Sequence, residues 1–344
     1  MRVGLGGVYK KLREEIFPLP SRTLAFLAII FLLILPVFVR NPYHLQIIVL
    51  TNLFALYAAS WDLLSGYTGQ VSFGHALFFG VGGYSAAFLN LRLGWPPLLT
   101  IPVGALAAVF TGMIIGIPCL RLRGPYLALA TLAFPIILTG IIYAFPETTG
   151  GEFGLSGLTR LTPSRTLDYY FSLLLMIFGV FIMWKITESK IGVILHSIRE
   201  DEIAARACGI NTARYKLLAY SLSGFFAGLA GSSFAHFMRT VGPLALDASI
   251  SFQAVIWTAF GGIVSIYGAV GGVYILYPLM EFLRVTPQIR MLSFAIIVTV
   301  ILLIMPEGML RWVRDKIEKE CPRCKKRNVV TRETCRICGA PLKD

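Results

Sequence analysis

The chain carries two sets of residues with chemistry in them. The first is Cys321-Pro-Arg-Cys324, ten further residues, and Cys335-Arg-Ile-Cys338. Two C-x-x-C pairs at this separation can close a tetrahedron of four thiolates around Zn²⁺ at about 2.3 Å, and a site with four protein ligands is structural, not catalytic. Two disulfides or four free thiols are the competing readings. Cys119 and Cys208 have no partner spacing and read as small packing residues.

The second set consists of polar residues inside otherwise apolar runs: Asp62, His75, His236 and Glu281. An ionisable group in lipid is expensive and marks function by default, although contact with a neighbouring helix or a place near an interface would also explain it. Around His75 the run at 61 to 87 interleaves Gln70, Ser72 and His75 with Gly66, Gly69, Gly74, Gly80, Gly82 and Gly83. Glycines let helices approach closely, or let a helix break where it lines a cavity. Packing alone would not need the polar residues, so Gln70, Ser72 and His75 are the candidates for a translocation path. No HExxH, GxSxG or paired-carboxylate cluster accompanies them, which argues against an enzyme. Nor is there a G-x-x-x-x-G-K-[ST] phosphate cradle, so any ATP dependence must come from a partner.

The elements that must position these residues follow from composition. Of 344 residues, 56% are hydrophobic and only 14% charged, against about 25% charged in soluble domains, and the mean hydropathy is +0.73. That excludes a water-coated globule and predicts an all-α polytopic membrane protein. Charge-free windows run over 23 to 39, 45 to 61, 71 to 91, 93 to 120, 124 to 146, 169 to 184, 217 to 238, 248 to 280 and 291 to 306. A crossing takes about 20 residues. The window 248 to 280 would be about 50 Å long as one helix, and Gly261, Gly262, Gly268, Gly271 and Gly272 offer places to break it.

Charge decides the count. Twenty-four of the 31 Lys and Arg fall in residues 1 to 22, 118 to 124, 185 to 216 and 306 to 344, which the positive-inside rule assigns to the cytoplasm. Parity then requires 248 to 280 to cross twice, giving about ten crossings with both termini inside. The organisation expected is a cytoplasmic segment at 1 to 22, a membrane domain at 23 to 305, and a cytoplasmic tail at 306 to 344. The basic stretch before the first span resembles a signal peptide but lacks a small-residue cleavage site and is read as an uncleaved anchor. A tail in a reducing cytosol disfavours disulfides and favours zinc, and its eleven basic against six acidic residues suit anionic headgroups or an acidic partner.

Within the cytoplasmic loop, residues 199 to 207 are good helix formers, Gly209 can supply a left-handed cap, and Asn211 or Thr212 can start the next span. A short helix fixed at both ends is either a solvated connector or a shape that docks into a partner's groove.

Five runs together resemble a known family: Gly-Tyr-Thr-Gly-Gln-Val-Ser-Phe-Gly-His-Ala at 66 to 76, Arg-Leu-Arg-Gly-Pro-Tyr-Leu-Ala-Leu-Ala-Thr-Leu-Ala-Phe at 121 to 134, Thr-Gly-Gly-Glu-Phe-Gly-Leu at 149 to 155, Ile-Arg-Glu-Asp-Glu-Ile-Ala-Ala at 198 to 205 and Pro-Glu-Gly-Met at 306 to 309. They are similar to the LivM-like permease subunits of branched-chain amino acid ABC importers, over about residues 23 to 310. The resemblance implies a fold like the type II importers and places the chain in the inner (cytoplasmic) membrane. It implies a second homologous permease, two ATP-binding subunits and an extracytoplasmic substrate-binding protein as partners, in a lipid bilayer and without nucleic acid. It also implies that Glu202, Ala204, Ala205 and Gly209 belong to the loop that engages the ATPases. The alternatives are a permease of the same superfamily for an amide, urea or sugar, or a zinc-dependent membrane signalling protein. The tail with Cys321, Cys324, Cys335 and Cys338 departs from the family pattern.

Overall fold

A computed structural model describes residues 20–39, 41–119, 122, 124–285, 290–305, 307–322, 327–329, 334, 335, 338, 340 and 341. The basic segment at 1 to 19, Arg121, Arg123 and Cys324 lie outside the described residues. The chain forms two compact units, Asn41–Gly308 and, separately, Met1–Arg40 with Met309–Asp344.

The apolar windows fold as helices. They are α1 (Pro20–Phe38), α2 (Pro42–Trp61), α3 (Ala76–Leu93), α4 (Pro97–Cys119), α5 (Pro125–Ala144) and α6 (Arg165–Thr187). Two short polar helices follow, α7 (Lys190–Glu200) and α8 (Glu202–Ala207). Then come α9 (Thr212–Met238), α10 (Ala248–Gly261), α11 (Ile266–Phe282) and α12 (Arg290–Ile304). The tail contributes α13 (Met309–Ile317) and the antiparallel pair β3 (Glu318–Glu320) and β4 (Arg327–Val329). The protein is all-α and polytopic. Among the described residues six helices are long and apolar enough to cross a membrane, α10 and α11 form a pair bent by 108°, and α1 and α12 hold shorter apolar stretches. The window 248 to 280 thus holds two helices, broken at Gly262 where its glycines offer a place.

The centre of the larger unit is built from small residues. Helices α3, α4 and α9 touch along Gly82, Gly104, Gly228 and Gly231, where an added Cβ would overlap the neighbouring backbone or the Ser232 hydroxyl. Ser232 Oγ donates to the Gly82 carbonyl at 3.0 Å. Close backbone approach of this kind replaces the hydrophobic drive that lipid cannot supply. Buried amides add polar ties: Asn52 donates to Ser172 Oγ at 3.0 Å and accepts from Tyr274 OH, joining α2, α6 and α11. Large apolar side chains such as Phe110, Leu129, Leu174 and Phe178 face outward instead.

One end of this unit is closed by the strands β1 (Leu155–Ser156) and β2 (Thr240–Val241), which pair antiparallel. The opposite end holds the turn between α10 and α11, the short helices α7 and α8, and the chain between α2 and α3.

Candidate functional site

Helix α2 does not stop cleanly. It widens into a π turn over Asp62–Gly66, a feature that often marks a functional position in a helix. Residues 69 to 75 are then non-helical before α3 begins. All three path candidates, Gln70, Ser72 and His75, lie on this one unwound segment, as the coincidence of glycines and polar residues predicts. Unwound backbone in an apolar bundle needs partners, and side chains supply them. Trp61 Nε1 donates to the Ser72 carbonyl at 2.8 Å, and Ser72 N donates to Ser65 Oγ at 3.2 Å. Phe73 N donates to Thr131 Oγ1 at 3.2 Å, and Ala76 N to Ser251 Oγ at 2.8 Å.

The side chains of the segment are less well served. Gln70, Ser72 and His75 are buried, at 7%, 2% and 0% exposure. Gln70 Oε1, Ser72 Oγ and His75 Nδ1 have no hydrogen-bond partner among the described residues. His75 uses Nε2 alone, 2.9 Å from Ser60 Oγ, while Ser60 Oγ also donates to the Tyr57 carbonyl. Orphaned buried polar atoms are costly, so their clustering here is the site's chief chemical peculiarity. In this conformation the segment is packed, not open.

The other intramembrane candidates have partners for their polar atoms. His236 Nδ1 donates to the Thr159 carbonyl at 3.1 Å and its Nε2 lies 2.6 Å from Thr100 Oγ1, so both ring nitrogens are satisfied. Glu281 accepts from Tyr43 OH at 2.9 Å and from Arg284 at 2.8 Å, clasping the ends of α2 and α11. Asp62 is fully buried. Its two oxygens accept from Val264 N and Ser265 N, each at 2.8 Å, across some 200 positions of sequence. Nothing in the local pattern announces that pairing. Ser251 and Thr131, which hold the unwound segment, also carry no signal of their own in the sequence.

The loop between α6 and α9 differs from the expected single helix over 199 to 207. Asp201 leaves the helical region at φ −153° and caps α8, its Oδ1 accepting from Ile203 N at 2.8 Å and Ala204 N at 3.0 Å. Aspartate prefers such a cap to a helix interior, and the helix divides there. Gly209 is left-handed at φ +83°, with its N–H on the Arg206 carbonyl. Asn211 caps α9 through Arg214 N at 3.1 Å. Both agree with expectation.

Glu202 points inward. It bonds Arg206, accepts from Thr212 Oγ1 at 3.2 Å, and pairs with Lys216 Nζ at 2.6 Å. Burial pushes its carboxyl up, but the hydrogen bond and charge of Lys216, then Arg206 and Thr212, outweigh this and hold it below the usual 4.5. Ala205 is also buried, whereas Ala204 is exposed. On α8 the exposed large apolar residue is Ile203, at 67%, which the sequence reading passed over. Cys208 is exposed, so it is not the packing residue expected, while Cys119 is buried.

In the tail unit, Cys321, Cys335 and Cys338 lie with their sulfurs within 4.8 Å of one another. Cys321 and Cys335 are buried and, with Cys338 and Ala340, form this unit's own core cluster. Asn328 on β4 points its amide at Cys335 Sγ, 3.5 Å away, and Cys335 N donates to the Ala340 carbonyl at 2.8 Å. A core made largely of thiols buries little apolar area. The donor set fits a tetrahedral thiolate metal.

Comparison with known proteins bears on the larger unit. The family described as "Branched-chain amino acid transport system / permease component" matches residues 43–305. The chain is 27% identical over 302 residues to the high-affinity branched-chain amino acid transport system permease protein LivM of Escherichia coli, covering 79% of this chain and 71% of that one. It is 28% identical over 250 residues to the probable branched-chain amino acid transport permease protein LivH of Methanocaldococcus jannaschii, covering 67% and 76%. The ribose import permease protein RbsC of Haemophilus influenzae is 26% identical over 198 residues, 56% of this chain and 59% of that one. No solved structure matches significantly. The match to the family ends before the cysteines of the tail.

Proposed function

Because this chain belongs to the family of permease components of branched-chain amino acid transport systems, we propose that it is the membrane-spanning subunit of an ATP-driven importer for branched-chain or other hydrophobic amino acids. It works with a second permease, two ATP-hydrolysing subunits and an extracytoplasmic binding protein, and sits in the cytoplasmic membrane with both termini inside. The observation that carries the reading is the α7–α8 hairpin. It is fixed by the Asp201 cap, the Gly209 turn and the Glu202–Lys216 pair, and it presents an isoleucine to water. An exposed apolar side chain on a rigid short helix fits a groove on a partner.

In this reading Glu202, Ala205 and Gly209 shape the ATPase contact, while Ile203 and Ala204 make it. Gln70, Ser72 and His75 line the path once the unwound segment is released, and their orphaned polar atoms then meet the zwitterionic end of the substrate or water. Cys321, Cys324, Cys335 and Cys338 hold one structural Zn²⁺, which would supply folding free energy to a tail without an apolar core.

The test is uptake into proteoliposomes that hold the chain with its partners. Leucine should accumulate with ATP and ribose should not. Ile203→Asp should abolish accumulation and co-purification of the ATPase while the chain stays abundant. Normal uptake by Ile203→Asp removes the docking assignment, and accumulation of ribose in place of leucine removes the substrate class. Metal analysis of the purified chain should find one zinc, lost in Cys335→Ser; iron, or titratable thiols and no metal, overturns the zinc site.

A further inference from the structure

Arg199 has no part in the reading above. It stands in the last turn of α7, two residues before the Asp201 that caps α8. Its Nη1 donates to the Gly66 carbonyl at 2.6 Å. Its aliphatic stem lies over Gly69, where an added Cβ would come within 3.1 Å of Arg199 Cγ. The Asp62 carboxylate in turn fills the space beside Gly66 which a Cβ would need. Asp62 grips Val264 N and Ser265 N. An unbroken set of contacts therefore runs from the cytoplasmic hairpin, through the π turn of α2, to the bend between α10 and α11.

That bend is strained. Val264 is left-handed at φ +64°, next but one to Gly262 at φ +116°. A β-branched side chain rarely adopts this region, and such outliers persist only where the surroundings over-determine them. Here the surroundings are the Asp62 carboxylate and the Gly308 backbone, which packs so closely on Gly262 that no Cβ fits between. Beyond the bend, α10 holds the end of the unwound segment, where Ser251 accepts from Ala76 N at 2.8 Å, and it is tied to α2 by Thr258 Oγ1, which reaches the Ala58 carbonyl at 3.4 Å. A change in the angle of α10 would withdraw Ser251 from the start of α3 and free residues 69 to 75.

We propose that Arg199 and Asp62 are positioning residues that link the α7–α8 hairpin to the α10–α11 bend, and that Val264 is the strained residue whose relaxation lets the bend reset and the unwound segment open. The link takes its purpose from the transport reading, while its geometry stands apart from it. Neither Arg199 nor Asp62 touches substrate. Pulling the hairpin moves Arg199 off Gly66, loosens the hold of Asp62 on the two amides, and gives Val264 its freedom.

Two measurements test this. In proteoliposomes with the partner subunits, Val264→Gly keeps both amide hydrogen bonds but removes the strain, so ATP hydrolysis should continue while leucine taken up per ATP falls about tenfold. Arg199→Gln should do the same and Arg199→Lys should restore part of the ratio. If Arg199 and Val264 only stabilise the fold, uptake and hydrolysis fall together with the amount of folded chain, and an unchanged ratio overturns the proposal. The second measurement needs no partner. In the isolated chain in nanodiscs, Arg199→Gln should speed hydrogen exchange at Val264 and Ser265 about tenfold, whereas Ile203→Asp should not. Unchanged exchange in Arg199→Gln overturns the link. Absence of leucine uptake by the unsubstituted chain instead counts against the transport reading and leaves the exchange result to decide the link.

Discussion

The two ends of the larger unit are closed in opposite ways. At one end the strands β1 and β2 pair, Asn90 bonds both the Trp95 carbonyl and Thr159, and His236 satisfies both ring nitrogens. Apart from glycines, the positive φ there belongs to Arg239, an unbranched residue capping α9, with its guanidinium on the Leu158 carbonyl. At the other end a buried carboxylate holds a β-branched residue in a left-handed turn, and the neighbouring unwound segment keeps polar atoms without partners. The polar groups just named at the first end are matched and have little to gain by moving. The second retains unsatisfied groups and strain, so a modest outside force can shift it. Two histidines, equally buried, differ in the same sense: His236 belongs to the closed end and His75 to the poised one.

Substitutions at the poised end should cost most when they remove its clamp. Asp62→Ala orphans the buried Ser265 N–H and the half-buried Val264 N–H, at about 1–3 kcal/mol for a buried group, and thermal denaturation in detergent should show the largest drop of any single change discussed here. A drop no larger than that of a surface substitution would erase the distinction between the ends. His236→Leu comes next, at about 1–3 kcal/mol, because it strips two partners from the closed end. His75→Leu removes one hydrogen bond, about 1 kcal/mol, yet should reduce uptake per folded molecule more than His236→Leu does. The reverse order would return His75 to packing. The two should be compared on the same membranes for amount and uptake.

Acid sharpens the comparison more gently. The folded Glu202 carboxyl titrates below its usual 4.5, so its contribution to the hairpin is complete above that value and is lost as pH falls through the lower folded one. Amide exchange over 203 to 210 should rise only as the pH falls below 4.5 and through the lower folded value, Glu202→Gln should remove this dependence, and the β1–β2 end should be indifferent. The smallest effect belongs to the tail. Ending the chain before Trp312 should leave the melting of the larger unit and the amount inserted unchanged, since every apolar window precedes it. A fall in either would tie the cysteine-held unit to the membrane domain.

Much of this was legible because lipid simplifies the code. Charge-free length announced each apolar helix, and glycine density marked where 248 to 280 would break. The polar residues among glycines at 66 to 76 marked the unwound segment, and Gly209 and Asn211 were readable because caps depend on near neighbours. What stayed hidden depends on distant partners. Asp62 meets Val264 across the fold, Ser251 and Thr131 support a segment far from them in sequence, and Lys216 turns Glu202 inward. Asp201 was misjudged inside a helix because its capping preference competed with a run of good helix formers, and Ile203 was missed because one apolar residue in a charged helix carries no period.

Hydrogen exchange in the assembled complex, with and without ATP, compares the two ends directly. The account predicts that ATP changes exchange at 69 to 75 and at Val264 and Ser265, while Leu158, Thr159 and the β1–β2 pair keep theirs. Equal changes at both ends, or a response confined to the β1–β2 end, would contradict it.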